Sequence, residues 1–481
     1  MRWPENSGGA VGGARRGGRG GGGIGIPGST CVPDTRATGG QGRAASASAR
    51  SHHHLDSTVP ASKATREVGS SPALRHATSR ITMAVVDDQR AATAGKNPAI
   101  AYRVASICAM LDEHDATETP MSASRVAAVY SMIADVANAA AEGRMTGRRR
   151  WKPYTGIARR YDYLELRSLG DGASADVTKA RHHATGHTVA LKTIRVDSYS
   201  AGAVELLREA CFMAACHGHP SLVRLHGLAR DPDSGVYSLA MECLGPSLHH
   251  ALRDRVARTG RPFPEASVRL MMRQLLSGAA ELHKNLIIHR DIKPDNILVA
   301  VDGAVKIGDY GSALSIAGQN DDDAYWAAGT RTCCAPEMLL EKPGYDTLVD
   351  TWSLGCVMAE LLTGEALFKE HCDSDQLHRI YDVFGVPGKR EWKPYESSFV
   401  ADKVPVWRRE QAQQRRRGRW HSNRLRELVP EKLLSKEGFE VLKGLLACNP
   451  NKRLAAAAAI KLPWFADNDH APVELQVTVG H

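Results

Sequence analysis

The octet HRDIKPDN, residues 289–296, contains a carboxylate, an ammonium group and a carboxamide within one short segment. Asp291 follows the apolar run NLII, Lys293 lies two residues further on and Asn296 five further on. A second carboxylate, Asp309 in KIGDYG, follows another apolar, strand-like run eighteen residues after Asp291. For the octet alone, an ordinary polar turn after a buried strand is the alternative interpretation.

Two carboxylates, a carboxamide and an ammonium group are what phosphoryl transfer requires. One carboxylate orients the attacking hydroxyl, and oxygen ligands hold magnesium on the triphosphate. A cation offsets the negative charge that spreads over the transferring group in the transition state. Each residue alone is a weak indication, whereas this order and spacing together are specific. The sequence therefore predicts a site for phosphoryl transfer.

Upstream, the run LGDGASADV places Gly170 and Gly172 between two strand-like segments. Glycines there let the backbone of a hairpin lie against phosphates, where a Cβ would collide. Lys192 ends the strand-like run VALK and could pair with phosphate oxygens, although an isolated lysine in such a place is usually solvated. Its predicted counter-ion is Glu209 in the helical run AVELLREACFM, with an exposed glutamate on a helix face as the alternative.

These motifs resemble those of eukaryotic protein kinases over about residues 161–466. The resemblance implies an α+β, bilobal kinase fold, with a small, mainly antiparallel lobe (161–241), a larger helical lobe (248–466) and ATP in the cleft between them. It implies a serine/threonine kinase that uses ATP and Mg²⁺ to phosphorylate protein substrates. A catalytically weak or inactive scaffold with a kinase fold is the alternative.

The resemblance also implies roles for individual residues. Asp291 would be the catalytic base and Lys293 the γ-phosphate contact, while Lys192 would reach the α- and β-phosphates and pair with Glu209. The implied magnesium ligands are Asn296 and Asp309. The implied nucleotide-binding residues are Leu169, Gly170, Asp171, Gly172, Ala173, Ser174, Ala175, Asp176 and Val177 in the loop over ATP, Ala190 and Lys192 on the following strand, and Met241, Glu242 and Leu244 at the hinge.

Residues 360–392, ELLTGEALFKEHCDSDQLHRIYDVFGVPGKREW, resemble the cyclin-dependent kinase branch, and the overall texture resembles plant F-type cyclin-dependent-kinase-like proteins. The family pattern further implies that Asp350 braces the catalytic loop. It also implies that Glu337 of the APE motif pairs with Arg453.

Four departures from the family pattern bear on function. Ala175 replaces the third glycine of the loop, and DYG at 309–311 replaces DFG. The helix that meets cyclin in the branch reads AVELLRE instead of PSTAIRE, which argues against cyclin as a partner. Cys333 and Cys334 stand where the branch has Tyr and Arg. Because that Arg helps to shape the pocket for proline after the phosphoacceptor, the sequence does not predict proline-directed specificity.

Two further departures concern regulation. Tyr325 stands ten residues before the alanine of APE, where the branch has its activating threonine. We predict that the acidic run 321–323 partly replaces the phosphate that Arg290 would bind, with a solvated acidic loop as the alternative. The inhibitory Thr-Tyr pair of the branch reads Ala173-Ser174, which argues against control by that route.

Composition divides the rest of the chain. Residues 1–82, rich in Gly, Ala, Ser and Arg, predict a disordered leader, with an RNA-binding tail or an untranslated segment before a start at Met83 as alternatives. Residues 98–145 carry apolar residues at helical spacing on both sides of DEHDATETP and predict a helical hairpin. Residues 146–160 form a basic linker and 467–481 a short tail.

The bulk composition excludes several classes of protein. A net charge of +9 with 43% hydrophobic residues fits a globular protein and favours acidic or phosphate-bearing partners. Ten cysteines without a CxxC pair argue against zinc and suit a reducing compartment. We expect no secretory signal, and no apolar run approaches the roughly 18 residues of a membrane span. We expect a soluble intracellular protein of the nucleus or cytoplasm, with no membrane partner and no nucleic-acid partner.

Overall fold

The computed structural model describes residues 98–117, 119–142, 156–171, 175–195, 199–317, 328–388, 400–417 and 423–466. The predictions that lie outside these residues concern the leader 1–82 with Met83, the loop residues Gly172, Ala173 and Ser174, the acidic run 321–323 with Tyr325, the tail 467–481 and most of the linker 146–160.

Residues 98–142 form two helices, α1 (Pro98–Asp115) and α2 (Ala123–Glu142), that contact each other across a short connection. The apolar residues at helical spacing are buried, among them Val104 and Leu111 in α1 and Ile133 in α2. The side chain of Ser122 accepts a hydrogen bond from the backbone N–H of Arg125, which satisfies one of the free donors at the start of α2. Periodicity and a capping residue therefore explain both helices locally.

The small lobe is built on a six-stranded sheet with the strand order β1-β5-β6-β4-β3-β2. Its strands are β1 (Ala158–Arg159), β2 (Tyr163–Asp171), β3 (Ala175–His182), β4 (Thr188–Ile194), β5 (Leu225–Arg230) and β6 (Tyr237–Glu242). Only β1 and β5 are parallel among these described neighbours; the other pairs are antiparallel. Helix α3 (Tyr199–Ala215) packs against the sheet.

The larger lobe is mainly helical. Its helices are α4 (Leu248–Thr259), α5 (Glu265–Lys284), α6 (Pro336–Leu339), α7 (Leu348–Thr363), α8 (Asp373–Phe384), α9 (Lys403–Arg416), α10 (Leu425–Leu428), α11 (Lys436–Leu445) and α12 (Ala456–Ala459). Its short strands are β7 (Ile287–Ile288), β8 (Ile297–Val299), β9 (Val305–Ile307) and β10 (Leu314–Ser315), paired as β7–β10 and β8–β9. The predicted bilobal α+β architecture is confirmed.

Helix α7 lies at the centre of the larger lobe. Every residue from Val349 to Leu362 is buried, as expected of a helix that is packed on all sides. Gly355 allows α11 to approach closely, because a Cβ there would lie 2.8 Å from the side chain of Leu446. The first turn of α7 carries Asp350, so a helix that is buried along almost its whole length also supports the candidate site.

A search for membrane spans gives a negative result. Among the described residues, no helix combines the length and the apolar character that crossing a bilayer requires.

Candidate active site

Lys192 lies on β4, between β3 and β6, opposite Val177 and Leu239. Its ammonium Nζ is 2.8 Å from Oε2 of Glu209 and 2.7 Å from Oδ1 of Asp309. Glu209 comes from α3 and Asp309 from the segment after β9, so the ammonium joins three elements from both lobes. The ion pair predicted between Lys192 and Glu209 is present in the structure.

Burial and charge oppose each other in this trio. Burial raises the pKa of Glu209, and the charge of Lys192 offsets part of that rise. Burial by itself would lower the pKa of Lys192, but the charges of Glu209 and Asp309 outweigh it, and the pKa is raised. Burial opposes ionisation of Asp309 as well, yet the charge of Lys192 holds its pKa below the ordinary value. With all three groups ionised, the trio keeps one net negative charge, which suits a cation beside Asp309.

Asp291 is the centre of a second network. Its Oδ1 accepts a hydrogen bond from the hydroxyl of Thr330 at 2.6 Å, and its Oδ2 accepts one from Nδ2 of Asn296 at 2.9 Å. The ammonium of Lys293 lies 2.9 Å from the same Oδ2 and donates to the Thr330 hydroxyl at 2.7 Å. The structure therefore brings Asp291, Lys293 and Asn296 together around one carboxylate, which fixes its position.

The backbone just before Asp291 is held by hydrogen bonds to Asp350 on α7. This fully buried carboxylate accepts the backbone N–H groups of His289 and Arg290 at 2.9 Å each and the Nε2–H of His283 at 2.9 Å. Burial would raise the pKa of Asp350, but the hydrogen bond and charge of His283 outweigh it and lower the pKa. The bracing role implied for Asp350 thus has a direct geometric basis.

Two residues of the site adopt backbone conformations that side chains rarely take. Arg290 has φ of 67° and Asp309 has φ of 60°, both in the left-handed region. Such conformations cost of order 1–3 kcal/mol each and persist only where the surroundings impose them. The hydrogen bond to Asp350 holds the backbone of Arg290, and the ion pair with Lys192 holds the side chain of Asp309. The strained backbone conformations therefore lie in the two segments that carry Asp291 and Asp309.

His289 links these two segments. Its ring Nδ1 accepts the backbone N–H of Asp291 at 3.3 Å, so its Nε2 carries the ring hydrogen and donates it to the carbonyl oxygen of Gly308, with 3.0 Å between nitrogen and oxygen. The ring also packs against Tyr310 of the DYG motif, with the ring centroids 5.3 Å apart. Tyr310 is buried, and its backbone N–H donates to Glu209 at 3.3 Å. The tyrosine therefore keeps a packed position between the catalytic segment and α3.

Asn296 and Asp309 supply oxygen atoms that fit a hard divalent cation. Nδ2 of Asn296 donates to the backbone and side-chain oxygens of Asp291 at 2.9 Å each, which leaves its carboxamide oxygen for a metal ion. The Asp309 side chain is half exposed. Within the described part of the chain, no group of three or more His, Cys, Asp or Glu side chains could hold a metal by itself. Magnesium is usually held by one or two carboxylates together with substrate phosphates, so two protein ligands fit this ion.

The described residues among those predicted to surround the nucleotide lie on strands β2, β3, β4 and β6 of the small lobe or just after β6. Gly170 pairs with Val177 in the β2–β3 hairpin, and a Cβ at Gly170 would meet nothing within 4 Å on the protein side. Ala190 is buried opposite Met241 at the start of the hinge. The other predicted positions are Leu169, which is exposed, Ala175, which is buried, Asp176, which pairs with Arg195, Leu244, which packs on the core, and Asp171, of which only the backbone is described.

Sequence reasoning missed two residues of the site. Thr330 contacts Asp291 across 39 positions of the chain, and no local spacing marks it. Lys306 is buried and pairs with the hinge residue Glu242 at 2.8 Å across 64 positions. A lysine inside the apolar run before Asp309 was the available signal, because a buried ammonium requires a counter-ion.

The two cysteines of the activation segment are buried thiols. Burial raises the pKa of Cys334 to about 12, so this side chain is neutral at physiological pH and does not replace the positive charge of an arginine. Nearby, Gly329 has φ of +91°, and a Cβ there would lie 2.6 Å from the carbonyl oxygen of Arg290. The segment thus passes against the catalytic loop with no room for a side chain at that point.

The pair implied between the APE motif and the end of the domain is present. Arg453 binds Glu337 through two hydrogen bonds of 2.6 and 2.9 Å, and both side chains are almost wholly buried. This bidentate geometry fixes the end of the activation segment to the larger lobe.

Comparison with known proteins identifies the family of this chain. Residues 163–465, more than half of the chain, match the protein kinase domain, and the chain therefore belongs to the protein kinase family. Over 324 residues it is 41% identical to "Putative cyclin-dependent kinase F-2" of Oryza sativa subsp. japonica, which covers 66% of this chain and 94% of that protein. Over 328 residues it is 34% identical to "Cell division control protein 2 homolog 3" of Trypanosoma brucei brucei, which covers 68% and 98%.

A third relative extends the same pattern. "Cyclin-dependent kinase G1" of Arabidopsis thaliana is 34% identical over 317 residues, which cover 63% of this chain and 49% of that protein. The predicted resemblance is confirmed: the chain is a cyclin-dependent-kinase-like protein kinase. A protein kinase domain implies the use of ATP with a divalent metal ion.

Proposed function

We propose that this chain is an active serine/threonine kinase that transfers the γ-phosphate of ATP, with Mg²⁺, to hydroxyl groups of protein substrates. The observation that carries the proposal is the trio of Lys192, Glu209 and Asp309, with Nζ at 2.8 and 2.7 Å from the two carboxylates. A buried cation beside a half-exposed carboxylate supports the proposal, because phosphates need a cation and a magnesium ion needs an oxygen ligand.

In this proposal each residue has one task. Lys192 binds the α- and β-phosphates, and Glu209 fixes the direction of its ammonium. Asn296 and Asp309 are the magnesium ligands, and the ion supplies positive charge to the phosphates when it is bound. The loop residues 169–177, Ala190 and the hinge 241–244 enclose the nucleotide.

Asp291 acts on the substrate hydroxyl. Because Thr330, Asn296 and Lys293 hold its carboxylate, the group is oriented before the substrate arrives. It can then accept a hydrogen bond from the hydroxyl and take up the proton as the phosphoryl group is transferred. The ammonium of Lys293, 2.9 Å from the Asp291 carboxylate, can offset the negative charge that develops on the phosphoryl group during transfer.

The alternative is a scaffold that keeps the fold and has lost the reaction. Changes in the loop, with Ala175 at the third glycine position, and in the activation segment, with Cys333 and Cys334, favour this alternative. Against it, a scaffold has no need of Lys192 or Asp309, and both are retained in ionised contact. Peptides with and without proline after the serine test the effect of Cys334 on specificity.

The proposal is tested by phosphate transfer from γ-labelled ATP and Mg²⁺ by the full chain, with a generic basic protein and the two peptides as substrates. Asp291→Asn is the control, because it removes the proton acceptor and leaves the nucleotide site intact. We expect this variant to lose about 10²- to 10⁴-fold in turnover and to keep its ATP affinity. Equal transfer by both proteins would exclude Asp291 as the base, and ATP binding with no transfer by wild type would favour the scaffold.

A further inference from the structure

Helix α3, which carries Glu209, is buried on nearly all sides. From Gly202 to Ala215, only Glu205 is exposed, and Arg208 is half buried. A helix on the edge of a small lobe normally keeps a polar face toward solvent. Here the sheet and residues 310–312 pack against α3, and the hairpin of α1 and α2 packs against it as well.

The hairpin and α3 share one continuous hydrophobic core. Val104, Ile107 and Leu111 from the hairpin belong to the same cluster of buried side chains as Leu206 and Leu207 from α3. Covering this surface requires the hairpin, since the apolar side chains of α3 would otherwise face water. The hydrophobic effect therefore favours the docked hairpin.

Polar contacts fix the register of the hairpin on α3. Arg208, the residue next to Glu209, binds Oδ1 of Asp112 at 2.8 Å and lies 3.9 Å from Oδ2 of Asp115. Cys108 of α1 meets Cys211 of α3 by a side-chain hydrogen bond, and the phenol of Tyr130 is hydrogen-bonded to the backbone of Leu228 in the sheet. The hairpin is thus tied to both α3 and β5.

The same hairpin also reaches the other half of the site. Helix α1 contacts β10, which follows the DYG segment and pairs with β7 through Leu314 and Ile288. Strand β7 leads directly into His289 and the catalytic loop. One element outside the matched kinase domain therefore contacts both the helix of Glu209 and the strand that follows the DYG segment.

We propose that the hairpin, residues 98–142, is a built-in positioning element that holds α3 so that Glu209 stays on Lys192. Displacing the hairpin would expose the apolar side of α3 and release Glu209 from the ammonium. Any protein partner that binds the covered face of α3 would first have to displace the hairpin. The inference rests on the proposed function only in assuming that the Lys192–Glu209 pair serves ATP.

The test compares two substitutions of the same chemical kind in the full chain. Val104→Asp places a carboxylate at a fully buried position of α1, whereas Met132→Asp places one at a position of α2 that is 40% exposed. Burial of an unpaired carboxylate is strongly unfavourable, so only the first change should detach the hairpin. Amide hydrogen exchange over 98–142 reports detachment, and exchange over 199–215 reports the order of α3.

We expect Val104→Asp to raise exchange in both segments and to weaken the affinity for a non-hydrolysable Mg²⁺–ATP analogue by about tenfold, because the competent arrangement becomes a minor state. Met132→Asp should leave the exchange in both segments and the affinity for the analogue unchanged. A detached hairpin with wild-type exchange over 199–215 and wild-type nucleotide affinity would overturn the proposal.

A charge exchange gives a milder test that does not disturb the core. Asp112→Arg and Arg208→Asp each place like charges opposite one another and should each weaken nucleotide affinity about two- to fivefold, with recovery in the double variant. Glu113→Arg is the control, because Glu113 is exposed and makes no ion pair with α3 among the described residues. Equal losses in the single and double variants would contradict a positional role for this pair.

The readouts separate this inference from the proposed function. If wild type binds the nucleotide analogue but transfers no phosphate, the proposed catalysis fails, whereas the exchange and affinity measurements still decide whether the hairpin positions α3. If transfer is normal and Val104→Asp detaches the hairpin without changing α3 or the affinity, the hairpin inference fails alone.

Discussion

The two carboxylates that orient the candidate site, Glu209 and Asp291, are held in different ways. Asp291 is supported from within, because Asp350 on the fully buried helix α7 accepts the two backbone N–H groups just before it. Glu209 lies on α3, whose outer side is covered by a hairpin that precedes the matched kinase domain. The catalytic loop is therefore part of the core, whereas the lysine–glutamate pair depends on contacts that can be separated from it.

This difference indicates where the protein can be regulated. Moving Asp291 would require disrupting α7 and most of the larger lobe. Moving Glu209 requires only that α3 shift away from β4, and the hairpin opposes that shift. We therefore expect changes at the hairpin to alter nucleotide binding and changes at α7 to alter stability and turnover together.

The largest effect should come from Asp350→Ala. Removing this buried carboxylate leaves the N–H groups of His289 and Arg290 and the ring of His283 without their acceptor. We expect the free energy of unfolding to fall by about 3–5 kcal/mol, with loss of phosphate transfer. Chemical denaturation measures the first quantity, and Asp254→Ala on the exposed face of α4 is the control. An unchanged unfolding free energy would show that α7 does not brace the loop.

Lys192→Met should come next. The variant keeps an unbranched side chain of similar length and removes the charge between Glu209 and Asp309. We expect kcat/KM for ATP to fall by about 10²- to 10³-fold, because the phosphates lose their cation. The exposed residue Lys342 provides the matched control, Lys342→Met. Wild-type kinetics in Lys192→Met would exclude this lysine from the nucleotide site.

Gly355→Ala should have an intermediate effect. The added methyl would lie 2.8 Å from the side chain of Leu446, so α7 and α11 would have to separate slightly. Overpacking of this kind costs about 1–3 kcal/mol, which thermal or chemical unfolding would resolve. Nucleotide affinity should stay at the wild-type level, since α3 is not touched. A loss of nucleotide affinity without a loss of stability would contradict the expectation that changes at α7 act on stability and not on nucleotide binding.

The smallest effect concerns pH, and it differs in sign between the two regions. The folded pKa of Asp350 lies below its ordinary value of 3.8, so the unfolded chain binds more protons as pH falls. Its stabilisation is therefore present above about pH 4 and is lost at lower pH. The folded pKa of Lys192 is raised above its ordinary value of 10.5, so its stabilisation is present below that pH and is lost as pH rises further.

Unfolding free energies measured against pH check this contrast. The difference between wild type and Asp350→Asn should shrink below pH 4, and the difference between wild type and Lys192→Met should shrink only in strong alkali. A constant difference for Asp350→Asn across the acid range would show that its carboxylate is not stabilised by His283 and the loop.

Local patterns were enough to predict much of the fold and the site. The pair of Lys192 and Glu209 could be predicted because Lys192 ends an apolar strand-like run and Glu209 lies among apolar residues of the next helical run. The helices of the hairpin could be predicted from the helical spacing of apolar residues such as Val104, Leu111 and Ile133. Asp291 and Asp309 could be predicted because each follows a buried strand within a short motif, and Asn296 because it lies five residues after Asp291 in the same motif.

What could not be predicted depends on contacts between distant parts of the chain. The packing of the hairpin on α3 joins Asp112 to Arg208 across 96 positions, and no local pattern indicates which surface an amphipathic hairpin will cover. Thr330 reaches Asp291 only because Gly329 lets the activation segment pass against Arg290. Such contacts follow from tertiary packing, and the spacing of residues along the sequence does not indicate them.

The central claim is that the site transfers phosphate through Asp291. Its most direct test measures Mg²⁺–ATP binding and γ-phosphate transfer side by side on wild type and Asp291→Asn. We predict equal binding in the two proteins and transfer by the wild type alone. Equal transfer by both, or binding without transfer by either, would contradict the account.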